Sequence, residues 1–234
     1  MPQIEPLRGI RFDPARVGSL SEVVAPPYDV IGPELWDELA ERHGHNCVRL
    51  ILPEGDDDGR YERSAKLVKA WRRDGVLIDE PRPALYAYHQ VFTVAGRELT
   101  RRGFMSRVKV SPLGEGEVHP HEETHGGAKA DRLRLWRACR ANMSQVFGLY
   151  PDAEHAAQSL IESAIAGTPP LEATDHLGVI NRLWPVTDEG VVAAVQQAMA
   201  GKPVYIADGH HRYETAVAYR DEVAQQLGGQ LPLG

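Results

Sequence analysis

The chain has 234 residues, 42% of them apolar, which is enough for one large hydrophobic core or two small ones. A net charge of −7 does not imply a general nucleic-acid-binding surface, and the arginines scattered beside acids read as solvated helix faces rather than a phosphate-binding stripe. Two distant cysteines, Cys47 and Cys139, exclude a disulfide framework or a zinc knot and are expected as buried or half-buried thiols.

MPQIEPLRGIRFDP carries no apolar core of signal-peptide length, and no stretch approaches the ~20 apolar residues of a membrane span. The expectation is a cytoplasmic protein without membrane association. In VVAPPYDVIGP, Pro26 and Pro27 lack backbone donors and stiffen the chain ahead of Tyr28 and Asp29. Those two residues are either presented to a site or part of a plain connection. A helix is predicted from Pro33 to about Arg42, with Trp36, Leu39 and Ala40 on one face. CVRLILP (47–53) reads as a buried strand. A second helix is predicted from about Arg60 to Arg73, with Tyr61, Ala65, Val68 and Trp71 in one stripe and Gly75 as its stop. Residues 84–94 and 98–110 form a hairpin around Ala95-Gly96-Arg97. A glycine-punctuated polar loop follows, then a helix near Lys129 to Arg140.

QVFGLY (145–150) reads as a strand and 153–167 as an amphipathic helix. LEATD and VINRLWPV form a hairpin around His176-Leu177-Gly178, and 188–201 is again helical. The last unit is a strand over Val204 to Ala207, a turn at Asp208-Gly209 and a long helix. Trp36, Trp71, Trp136 and Trp184 all fall in apolar patterns and are assigned to the core. Mixed elements with hairpins predict an α+β (mixed α/β) fold. The organisation is an N-terminal α/β part (1–110) and a part carrying both polar motifs (111–234), or one continuous domain.

Two segments carry chemistry. In IADGHHRYETA the strand, the glycine turn and the helix N-terminus make an anion site. Unpaired N–H groups face a ligand, Gly209 permits close approach, and Arg212 can fork onto a phosphate or carboxylate. His210 and His211 can donate, transfer protons or bind metal. The plain alternative is a helix capped by Asp208 with its first-turn side chains in solvent. The other segment, VHPHEETHGG, contains His121-Glu122-Glu123-Thr124-His125 and so fits H-E-x-x-H. Zinc needs that pattern on a continuous helix. Here Pro120 precedes, Gly126-Gly127 follows, and the extended metalloprotease pattern fails at Ala128 and Asp131. The segment reads instead as a polar loop, either a solvated surface or a source of general bases and Mg²⁺ ligands, with Lys129, Asp131 and Arg132 on the next helix.

PLRGIRFDP, VVAPPYDVI, VRLILPEG, TRRGF, PHE-x-T, KADRL, AN-x-S-x-x-FGLY and IADGHHRYETA occur in one order. Together they resemble the bacterial and archaeal domain-of-unknown-function family 1015 over nearly the whole chain. The resemblance implies the N-terminal half of a longer protein, or a truncated member. Asp208-Gly209-His210-His211-Arg212 is also similar to the motif of the ParB and sulfiredoxin-like superfamily, most of all its free-serine kinases. That likeness implies a phosphate cradle of Gly209, His210, His211 and Arg212, with ATP or ADP as the nucleotide. Pro120-His121-Glu122-Glu123 is similar to the kinases' catalytic element, which makes Glu122 the base on the acceptor hydroxyl. In the kinases the two motifs stand much closer together, so an insertion has to fold out between them here.

Three functions follow as expectations. The first is a nucleotide-dependent phosphotransferase acting on a small hydroxyl-bearing metabolite, free serine among them. In it Glu122, His211 and Asp208 are catalytic and Asp208 holds Mg²⁺. His121, Lys129, Arg132, Tyr28 and Asp29 bind substrate. The second is a non-catalytic nucleotide-binding regulatory module, and the third a metal-dependent hydrolase built where the two motifs meet.

Overall fold

A computed structural model describes residues 3–122 and 126–228, the side chains of 126–128 excepted. The chain opens with β1 (Ile4–Glu5), β2 (Ile10–Phe12) and α1 (Pro14–Val17), then two 3₁₀ turns at Leu20–Glu22 and Tyr28–Val30. Next come α2 (Pro33–Arg42), α3 (Val48–Ile51), α4 (Gly59–Arg73) and β3 (Leu77–Asp79). The hairpin is β4 (Leu85–Val94) and β5 (Arg97–Met105), followed by β6 (Arg107–Val108) and β7 (Val118–His119). Beyond the polar loop lie α5 (Gly126–Cys139), β8 (Phe147–Leu149), α6 (Ala156–Ile165), β9 (Leu171–Thr174), β10 (Ile180–Val186) and α7 (Glu189–Met199). β11 (Val204–Asp208) and α8 (His210–Gln226) close the described chain. The fold is α+β, as the mixed pattern predicts.

The central sheet is antiparallel in the order β5-β4-β10-β9. It draws two strands from before residue 110 and two from after it. Its inner face buries Leu85, Ala87, Trp184 and Val186 against Ala157, Ile161 and Ile165 of α6 and Val192, Val195 and Met199 of α7. The apolar periods of 3.6 in the helices and 2 in the strands meet on this one surface. Val17, Val23, Leu50, Val68, Trp71, Val76 and Leu77 make a second core beside α4. Trp71 and Trp184 are buried as expected, whereas Trp36 and Trp136 are only half-buried. Both cysteines are half-buried free thiols.

The expected strand at 47–53 is a correction. Residues Val48–Ile51 form a single helical turn. Fully buried Asn46 anchors it: its Nδ2 donates to the carbonyls of Glu22 (2.9 Å) and Val24 (3.1 Å), while its Oδ1 accepts from Val48 N–H (3.0 Å). The carbonyls that a neighbouring strand would take are bonded by side chains. Ser64 Oγ donates to Leu50, Arg132 to Ile51 (2.6 Å) and Trp36 Nε1 to Leu52 (2.8 Å). A continuous apolar run cannot distinguish these outcomes by period.

A small sheet in the order β7-β11-β8 carries the polar motifs. β7 runs parallel to β11, with Val118 opposite Val204 and His119 opposite Tyr205. Residues 126–203 lie between the two strands in the chain, and of these β8 returns to pair with β11 while α5 packs against α8. Val118, Ile206 and Tyr213 form the core beneath them.

Candidate functional site

Because β7 and β11 are parallel neighbours, the loop after one and the turn after the other emerge at the same edge. That edge, beyond the carboxyl ends of parallel strands, is where open α/β sheets commonly place ligands. It brings together Pro120-His121-Glu122 and Asp208-Gly209-His210, which are distant in sequence.

Gly209 adopts φ 96°, ψ 33°, a backbone position that suits glycine, and α8 begins directly after it. No side chain caps the helix. Asp208 reaches forward instead and pairs with Arg212 one turn on. Arg212 is 5% exposed, and its second amino group donates to the Gln145 carbonyl. A Cβ on Gly209 would stand 2.8 Å from Arg212 Nε. The space left by the missing side chain is therefore filled by a guanidinium rather than kept open for a ligand. Both polar side chains that the sequence suggests as surface donors, His210 and Arg212, are buried. His211 is half-buried.

His210 is 1% exposed, and its ring meets that of His121 edge-on at 4.5 Å between centroids. His210 Nε2 accepts the backbone N–H of His121 (3.2 Å). A neutral ring then carries its proton on Nδ1. Nδ1 lies 2.9 Å from Glu122 Oε1, out of line for a hydrogen bond, and has no other partner. His121 is set in the same manner. Its Nδ1 stands 2.6 Å from the Ile206 carbonyl, which can only accept, so Nδ1 bears the proton and Nε2 the lone pair. One nitrogen from each histidine and one Glu122 oxygen lie within 4.8 Å of one another. Glu122 is more than half exposed. Glu123 and His125 lie outside the described residues. His121 and Glu122 lie in a bend ahead of α5.

The Pro26-Pro27 loop packs on α5. The Arg132 guanidinium on α5 stacks over the Tyr28 ring at 3.9 Å. Burial pushes the Tyr28 hydroxyl above its usual value, opposed by the positive charges of Arg132 and Arg212. Arg132 thus ties the Tyr28 loop to α5, while Asp29 is exposed. Arg132 itself is 4% exposed. Its Nε and one amino group bond Asp131, and its other amino group bonds the Ile51 carbonyl. What Arg132 holds is Tyr28 and α3. Lys129 is half-buried in the opening turns of α5. A depression of about 480 Å³ on the central sheet, lined by Gln90, Phe92, Arg101 and Leu177, contains none of these residues.

Residues 4–232 match the family described as Protein of unknown function (DUF1015). The chain belongs to this family. No curated protein and no solved structure matches it. Family membership therefore places the motifs without naming a reaction. Among the described residues no helix is long and apolar enough to cross a membrane.

Proposed function

We propose that the chain is a nucleotide-dependent phosphotransferase for a small hydroxyl-bearing metabolite, with free serine as the first acceptor to try. The observation that carries this reading is the parallel pairing of β7 with β11, which sets Glu122 2.9 Å from His210 at the turn opening α8. Phosphoryl transfer asks chiefly for positioning and for stabilised charge. The first-turn N–H groups of α8 and the positive end of its dipole face the nucleotide phosphates. His211, on that same turn, balances the transferring charge. Arg212 and Asp208 brace the turn from behind, so Mg²⁺ enters bound to ATP or ADP rather than through Asp208 alone. Glu122, exposed and beside a histidine, takes the proton of the acceptor hydroxyl. Tyr28 and Lys129 flank the substrate. The substrate is a small molecule, and the reaction belongs to the cytoplasm.

The test incubates the protein with serine, Mg²⁺ and either ATP or ADP and follows phosphoserine by mass spectrometry. Glu122→Gln is expected to slow turnover about 10²–10⁴-fold, the range of a lost general base, with nucleotide affinity unchanged. Nucleotide binding without phosphorylated product from any hydroxy amino acid overturns the transferase and leaves the regulatory module.

A further inference from the structure

Nδ1 of His210 is the least explained polar atom of the site. It is buried and makes no hydrogen bond, although Glu122 Oε1 stands 2.9 Å away out of line, and it lies where His121 and Glu122 also converge. A buried nitrogen left without a hydrogen bond costs up to about 1–3 kcal/mol, which a ligand bound between it and Glu122 would recover. His121 is prepared in the way metal-binding histidines usually are, with its Nδ1–H donated to a backbone carbonyl and Nε2 left with a lone pair. Two imidazoles and a carboxylate, with further positions open to water or substrate oxygen, form a donor set for a transition metal rather than for Mg²⁺ or Ca²⁺.

We infer that His121, Glu122 and His210 bind one divalent transition-metal ion. Tetrahedral or octahedral ligation at about 2.1 Å places neighbouring ligand atoms roughly 3–3.5 Å apart, against a present spread of up to 4.8 Å. Rotation of the exposed Glu122 side chain supplies the contraction. Coordination through His210 Nδ1 shifts that ring's proton to Nε2, where the His121 N–H now stands at 3.2 Å. A turn of the Pro120–His121 peptide offers the Pro120 carbonyl to that proton in exchange. The site differs from an H-E-x-x-H zinc site, because its third ligand, His210, comes from the helix opened by Gly209, far beyond Glu122 in the chain. It also differs from an Asp208 site, because that carboxylate is held by Arg212.

Chelator-treated full chain is titrated with Co²⁺, followed by calorimetry and by the visible bands of imidazole-ligated cobalt. One equivalent is expected to bind. His121→Ala and Glu122→Gln, both at exposed positions where folding is not at risk, are each expected to weaken binding at least about tenfold, since outer-shell partners alone are worth that much. Asp208→Asn is expected to retain the bands. Absence of a stoichiometric site, or binding that survives both His121→Ala and Glu122→Gln, overturns the inference, and so does loss confined to Asp208→Asn. The titration contains no nucleotide, so its failure is separate from failure of the phosphotransferase.

Discussion

Gly209 is constrained from two directions. Its φ of 96° lies where side chains are strained, and the guanidinium of Arg212 occupies the volume a methyl group would need. Gly209→Ala is therefore expected to lower stability by about 1–3 kcal/mol, the cost of such a backbone position, and to unseat Arg212 from Asp208. Thermal denaturation reads the loss. An unchanged melting temperature would mean that the turn relaxes freely and that Arg212 does not brace it. The residue types of this turn were legible in the sequence, but their burial was not. Histidine and arginine in a helix's first turn look like surface groups. Only the three-dimensional partners, Gln145, Asp208 and the His121 backbone, explain why His210 and Arg212 are enclosed.

Among the elements, α5 acts as the strut between the second core and the site. Toward α4, Arg60 and the Tyr61 hydroxyl both donate to Asp131 Oδ1 at 2.6 Å, and Arg132 holds Oδ2. Toward α8, Arg137 pairs with Glu222, and Trp136 meets Tyr219 edge-on at 5.8 Å. Burial opposes the charge of Asp131, yet the Tyr61 hydroxyl, Arg132 and Arg60 outweigh it and hold the carboxyl below its ordinary value. A depressed folded-state value means stability that is present above the unfolded value and lost as pH falls through the folded one. Asp131→Asn is thus expected to cost about 2 kcal/mol at neutral pH, the worth of hydrogen bonds to a charged group. The difference from the parent chain should shrink below about pH 4, where an ordinary aspartate takes up its proton. Urea melts at pH 7 and pH 3 check both halves. A gap of the same size at both values would remove Asp131's charge as the cause.

Elements with a clear period were readable in advance: α2, α4, α6, α7, α8 and the two hairpins. Gly75, Gly96 and Gly178, all at positive φ, mark stops and turns where the sequence placed them. The short strands β1, β2, β3 and β7 were not readable, because two or three residues carry no period. Val48–Ile51 misled because side chains, not a neighbouring strand, bond its carbonyls. The parallel pairing of β7 with β11, on which the site depends, is a long-range contact that no local pattern encodes.

At the scale of the whole molecule, the cores are tied together by shared residues. Val108 and Val204 pack both against the sheet core beneath α6 and α7 and against the small core under the site. Thr174 N–H bonds Ser21 Oγ, and Gln196 donates to the Ile4 carbonyl, so the two ends of the chain are laced across residue 110. Such lacing predicts one cooperative unit rather than two that open separately. Ile161 is fully buried in the sheet core. Ile161→Ala should cost about 3 kcal/mol by lost transfer energy and a residual cavity. If the molecule opens as one unit, that loss speeds hydrogen exchange of the most protected amides by the same factor everywhere. The increase would then be equal in β10, which touches Ile161's core, and in α4, which belongs to the other. Exchange measured by mass spectrometry on peptides from the two elements decides the matter. Acceleration confined to β10 would divide the fold into independent halves. The site edge would then rest on the half that holds β11 and α8.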